Sequence, residues 1–202
     1  MHTGTGYRDR LRERWPEILI EAGSVLLAVL LAFAVDEWRD ARNKRELARR
    51  AQQSILAEIR ANRDELRGTF DANTRQLQSL QQTLDRFGAS PDTTHASVSL
   101  GFHAAQLSDA AWETARTTQA AQLLPFDWIV EVARVYETQA LYKTAQLDML
   151  QRTRSAAAEF ARAPRPVQIV EPLHSELETF QSLADQLLKK YDEALSRPPP
   201  AF

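Results

Sequence analysis

Residues Ile18–Val35 read ILIEAGSVLLAVLLAFAV, and how this stretch is interpreted decides what kind of protein the chain is. At 1.5 Å per residue an eighteen-residue helix is ~27 Å long, close to the ~30 Å hydrocarbon thickness of a bilayer. Eleven of its residues are Ile, Leu, Val or Phe, together worth on the order of −3 to −6 kcal/mol of insertion free energy. Trp15 and Trp38 flank it, 23 positions and roughly 34 Å apart along a helix, the separation that places two indoles at opposite headgroup layers. Glu21 opposes insertion, but it lies one turn from the boundary, where a carboxylate reaches the interface. The balance predicts a transmembrane helix at 18–35.

Two plainer readings compete with this one. The wholly uncharged part, Ala22–Val35, has the length of an apolar core helix in a water-soluble protein. Against that stand the paired Trp residues and the dense charge on both flanks. Ala32-Phe33-Ala34 also fits the small-x-small cleavage site of a secretory leader. Here the apolar run enters the tripeptide without a helix breaker, and helical sequence continues past Asp36. Glu21, Ser24, Ala28 and Ala32 share one face of the helix; small residues four apart let two membrane helices approach closely, so this face is a candidate oligomer contact.

Composition narrows the rest. A chain of 202 residues allows one domain plus an anchor. A net charge of −2 gives no global attraction to nucleic acid, and zero Cys removes disulfides, thiol catalysis and Cys-ligated zinc. Arg8, Arg10, Arg12 and Arg14 precede the apolar run, while Arg39, Arg42, Lys44, Arg45, Arg49 and Arg50 follow it. Six basic residues against four lean the C-terminal part toward the cytoplasmic side of the membrane, where this cluster would meet lipid headgroups.

Downstream the chain reads as helices with one apolar side each. Leu56, Ile59, Leu66, Phe70, Leu77, Leu80, Leu84 and Phe87 recur at alternating spacings of three and four, interrupted only by Arg63 and Asn73, which predicts one long helix with a narrow seam. That seam pairs inside a bundle or with a second copy. Phe87-Gly88 with Pro91 closes the helix. Ala89–Gln106 has no clear period, with Ser97–Leu100 a candidate short strand. Ser108 is a candidate N-cap for a helix at Asp109–Gln119, broken by Leu124-Pro125. A helix at Asp127–Ala163 should bury Ile129, Val132, Tyr136, Ala140, Leu147 and Leu150. Pro164, Pro166 and Pro172 predict an extended connector, followed by a helix with the regular series Leu173, Leu177, Phe180, Ala184, Leu187, Tyr191, Leu195 and a Pro198–Pro200 stop.

The expected architecture is therefore all-α: a basic tail (1–17), a transmembrane helix (18–35), a long juxtamembrane helix (36–87), a three- to four-helix bundle or coiled-coil body (88–197) and a Pro-rich tail (198–202).

Catalytic motifs are weak. Glu171-Pro172-Leu173-His174 matches the Glu-x-x-His spacing of di-metal bundles, but the second copy and the two further Glu that such a site needs are missing. His95 and His103 are eight apart in the irregular region, which is no recognised ligand spacing. The six Gly are too scattered for a phosphate loop, and no Gly-x-Ser-x-Gly elbow occurs. Trp112, Trp128, Tyr136 and Tyr142 at helical spacing read as core before they read as a pocket. Neither cofactor, metal nor nucleic acid is expected, and no enzyme.

The segment EILIEAGSVLLAVLLAFAVDEWRDARNKRE, with LSDAAWETARTTQAAQLLP at Leu107–Pro125 and VARVYETQALY at Val132–Tyr142, resembles a set of uncharacterised bacterial single-pass membrane proteins. In that set an acidic residue precedes a Gly-containing apolar helix, which ends in an acidic or amide residue, Trp and a basic run; a Ser-Asp-led aromatic helix, a break and a Tyr-bearing helix follow. Its members carry Gly near that break, where this chain has Ala120-Ala121. The resemblance implies an anchor and an order of elements, and no catalytic residue. Together these readings point to a membrane-anchored helical scaffold or interaction module that self-associates or holds a protein partner. The alternative is a tethered sensor whose bundle binds a small ligand beside Arg165, Trp112 or Tyr136.

Overall fold

The computed structural model describes residues 6–89, 100–160 and 167–197, with side chains described from Ile20 onward. Its order is α1 (Gly6–Ala89), α2 (Ala110–Thr117), a 3-10 turn (Ala120–Leu123), α3 (Phe126–Phe160) and α4 (Val167–Ser196). The all-α class is observed. A membrane span is not: among the described residues no helix is both long and apolar enough to cross a bilayer. Ile18 and Leu19, which open the apolar run, precede the described side chains. The candidate strand at Ser97–Leu100 lies outside the described residues except for Leu100, which has no regular structure.

The chain divides into two units, Met1–Leu47 and Ala48–Phe202. In the first, α1 presents Ile20–Asp40 with every residue exposed, and its large apolar side chains point in all directions around the helix.

The second unit is a bundle of three long helical segments, residues 48–89 of α1 together with α3 and α4, around one core. The α1 seam is used inside this unit. Ile59, Leu66 and Leu80 are buried, and Leu56, Phe70, Leu77, Leu84 and Phe87 are partly buried against the same core. Residues 48–87, read from sequence as juxtamembrane helix, thus belong to the body. Helix α4 buries its expected side, with Leu195 only partly covered.

Helix α3 departs from expectation. Leu147 is 66% exposed and Ala140 is also exposed, while Trp128, Val135, Gln139, Tyr142, Met149, Thr153 and Ala156 are buried. The buried stripe carries two polar residues, Gln139 and Thr153, and an apolar-only search steps over them. Pro172 also sits inside α4 rather than in a connector. As the sixth residue it lies just past the first turn, so it removes one hydrogen bond, the one to the Gln168 carbonyl, and its ring faces solvent.

Candidate functional site

In the first unit the functional question is what the exposed apolar surface meets. Ser24 Oγ donates to the Glu21 carbonyl at 2.8 Å, so the hydroxyl on the small-residue face is satisfied within its own helix. Glu21, Ala28 and Ala32 are exposed beside it. Trp15 precedes the described side chains, and Trp38 is exposed with the Arg42 guanidinium 5.7 Å from its ring centroid, within cation–π range. Lys44 Nζ lies 2.6 Å from Asp40 Oδ2, and that hydrogen bond holds the ammonium pKa above its usual value. Arg39 and Arg45 are exposed, as are Arg49 and Arg50, which already belong to the second unit.

In the second unit a strap, Leu100–Asp109, has no regular structure of its own, and its backbone groups need partners. Side-chain carboxamides supply them. Asn73 donates through Nδ2 to the His103 carbonyl and accepts the His103 N–H on Oδ1, both at 2.9 Å. Gln146 does the same for Ala105, at 3.0 and 2.8 Å, and Asn62 for Ser108, at 2.7 and 2.9 Å. Each amide matches the donor–acceptor pair of one residue, as a neighbouring β-strand would. Two of the three, Asn62 and Asn73, come from α1 and one from α3.

At Ser108 this clamp continues into the core. Gln139 Nε2 donates to the Ser108 carbonyl at 2.8 Å, and Gln139 Oε1 accepts from Asn62 Nδ2 at 3.1 Å and from the Tyr191 hydroxyl at 2.6 Å. Asn62, Gln139 and Tyr191 are all buried, so α1, α3, α4 and the strap meet in a closed polar network. Beside it, Glu58 accepts from Ser108 Oγ (2.7 Å), the Tyr136 hydroxyl (2.7 Å) and the N–H groups of Ala111 (2.9 Å) and Trp112 (3.4 Å). Ser108 is not the N-cap. Asp109 holds that position without a side-chain cap bond, and a carboxylate from another helix serves the start of α2 instead.

The aromatic residues form core. Trp112 stacks on Tyr136 with centroids 5.5 Å apart and planes 5° from parallel. Burial pushes the phenols of Tyr136, Tyr142 and Tyr191 well above their usual range, and the hydrogen bond to Glu58 adds to this at Tyr136. None of the three is poised to act as an acid or base near neutral pH.

No protein-family model, curated protein or solved structure matches the chain.

Among the described residues no three His, Asp or Glu side chains form a metal-binding group. His174 lies against Glu178 at 3.7 Å, on its own helix, and His103 is held through its backbone with its side chain exposed. His95 and Arg165 lie outside the described residues. A groove of about 640 Å³ runs between α3 and α4, with Ala145, Met149, Phe180 and Leu183 as its apolar lining and Asp148 on its rim. Arg152 Nε bonds both oxygens of Glu176 at 3.0 Å across it. The Gln181 amide donates to Phe70 O and Thr74 Oγ1 on α1, and its buried Oε1 has no hydrogen-bond partner among the described residues.

Asn73 stood out in sequence as a polar break in the seam. Asn62, Gln139 and Gln146 did not, because an amide on a helix gives no sign that an irregular backbone crosses it. The available signal was paired: buried-side amides at Asn62 and Asn73, eleven residues and three turns apart, opposite a stretch without a period of its own.

Proposed function

We propose that the chain is a single-pass, membrane-anchored helical protein of the bacterial inner membrane, whose body serves as a scaffold or interaction module, with the body on the cytoplasmic side and self-association through the Glu21, Ser24, Ala28 and Ala32 face. One observation carries the anchor: Ile20–Val35 exposes apolar side chains on every side, while the seam that could have offered a second apolar surface is consumed in the body's own core. An apolar helix without a protein partner on any side is solvated by lipid or by further apolar chain. Ile18 and Leu19 extend the same run toward the N-terminus to the eighteen residues that a bilayer needs. Trp38, on this reading, lies at the interface, followed by the basic cluster. The likeness to the bacterial single-pass set agrees with this order of elements. A strap clamped by the paired amides of Asn62, Asn73 and Gln146, with no converging catalytic groups among the described residues, supports binding over catalysis.

The deciding experiment is alkaline extraction of membranes from cells expressing the intact chain, beside a Leu27→Arg/Leu31→Arg variant. Each arginine near mid-membrane costs ~2.5–3.5 kcal/mol, enough in combination to cancel the apolar gain. The parent should stay with the membranes and the variant should leave them. Release of the parent would end the anchor reading, and crosslinking of the solubilised parent that gives only monomer would end the self-association part.

The α3–α4 groove favours the second reading, a tethered sensor for a small apolar ligand. Its test is a reporter fused to Phe202: activity confined to the periplasm supports the sensor, and activity in the cytoplasm the scaffold.

A further inference from the structure

The basic residues after the apolar run are not equivalent. At 100° per residue, Trp38, Arg42 and Arg45 fall within about 60° of arc on α1. Asp36, Glu37 and Asp40 fall about 110–170° away from the centre of that arc, and Glu46 about 70° away, outside the arc. Lys44, about 130° away, is neutralised by Asp40 at 2.6 Å. Arg39 projects about 90° from the same centre. Between Asp36 and Leu47 one side of the helix thus carries two guanidiniums and an indole, with Arg49 on the same arc one turn farther from the apolar run, and the opposite side carries acids and a paired lysine.

We propose that this face, Trp38 with Arg42 and Arg45, binds the phosphodiester of an anionic lipid headgroup; the inference rests on the anchor reading and adds the class of lipid and the side of the helix. Arg42 and Arg45 are i and i+3, with Cβ atoms ~5–6 Å apart, so both guanidiniums reach one phosphate. Arg42 packs over the Trp38 ring, which limits the side-chain freedom that binding would otherwise remove. Helical side chains lean toward the N-terminus, here toward the apolar run. Arg42 is seven residues, ~10 Å, past Val35, and that lean returns its head toward the headgroup layer. A soluble acidic partner would have no reason to sit where an indole meets the end of an apolar run.

The test is to reconstitute the full chain in phosphatidylcholine bilayers containing a minority of phosphatidylglycerol and to measure the relative association of spin-labelled forms of the two lipids with the protein. The parent should prefer phosphatidylglycerol. Near an anionic surface each basic residue is worth about fivefold, so Arg42→Gln/Arg45→Gln should lower that preference on the order of 25-fold, or abolish it. Arg39→Gln/Lys44→Gln, the same change in formal charge on other faces, should leave it nearly intact. Equal losses in the two pairs would show a diffuse charge effect and overturn the proposal. So would insertion without any preference, which leaves the anchor reading standing. Failure to enter phosphatidylcholine at all would remove the anchor reading and this inference with it.

Discussion

Tyr191→Phe should change sign in its effect on stability according to what occupies position 139. In the parent, the Tyr191 hydroxyl donates at 2.6 Å to Gln139 Oε1, an acceptor shared with Asn62 Nδ2. Removing the hydroxyl leaves Gln139 Oε1 with one donor, so the cost is that of one net hydrogen bond, about 1 kcal/mol. Gln139→Leu keeps most of the volume but deletes the acceptor. The Tyr191 hydroxyl and one Asn62 N–H are then stranded in the core at ~1–3 kcal/mol each, for a total of ~2–6 kcal/mol. In that background Tyr191→Phe removes a stranded donor and should restore ~1–3 kcal/mol instead of costing one. The coupling between the two positions is therefore on the order of 2–4 kcal/mol. The assay is guanidinium unfolding of the four full-length proteins in one mild detergent, followed by the near-ultraviolet dichroism of the buried Trp112 and Trp128, with unchanged m-values as the check on two-state behaviour. An equal cost for Tyr191→Phe in both backgrounds would refute the argument that the amide and the phenol act as one unit.

Asn73→Ala with Gln146→Ala should free the strap without unfolding the bundle: amide exchange at His103 and Ala105 should speed up, while that at buried helical residues such as Leu177 stays slow. Above pH ~10 stability should fall, because the unfolded phenols ionise near their ordinary value while those of Tyr136, Tyr142 and Tyr191 stay protonated in the fold. The contribution is fully present below pH ~10, each phenol removes up to ~1.4 kcal/mol of stability per pH unit above it, and Tyr136→Phe should shallow the slope of the unfolding midpoint against pH. Gln119, at φ 60°, adopts a left-handed conformation after α2, so Gln119→Gly should raise the melting temperature or leave it unchanged, the relief of ~1 kcal/mol being offset partly by unfolded-chain entropy; a clear drop would contradict this reading of the turn.

The buried side of helix α4 was legible in sequence from Leu173 through Tyr191 because it is apolar at nearly every turn, but its start at Val167 was not, since Pro172 reads locally as connector. The seam of α1 was legible as a seam, though its partner was not, since spacing says that a face is covered and never by what. On α3 the apolar series led to Ala140 and Leu147, when the true stripe runs through Gln139 and Tyr142, one a polar residue satisfied by Asn62, Ser108 and Tyr191. The strap escaped detection for a related reason. Its conformation is imposed by Asn62, Asn73 and Gln146, which lie 30 to 46 positions away in the chain, so no local pattern records it. At the candidate membrane site the residue types were legible and their grouping was not: Arg42 stacked on Trp38 and Lys44 tied to Asp40 are facts of side-chain geometry.

Because the strap is gripped by its peptide groups, the identity of several of its side chains is unconstrained by folding. His103, Ala104 and Gln106 face solvent, and only Ala105 and Leu107 are buried. Such a segment can be rewritten residue by residue while its path stays fixed, much as an antibody loop varies on a constant framework. New surface chemistry could be installed there, by evolution or by a designed library at 103, 104 and 106, without renegotiating the packing beneath it.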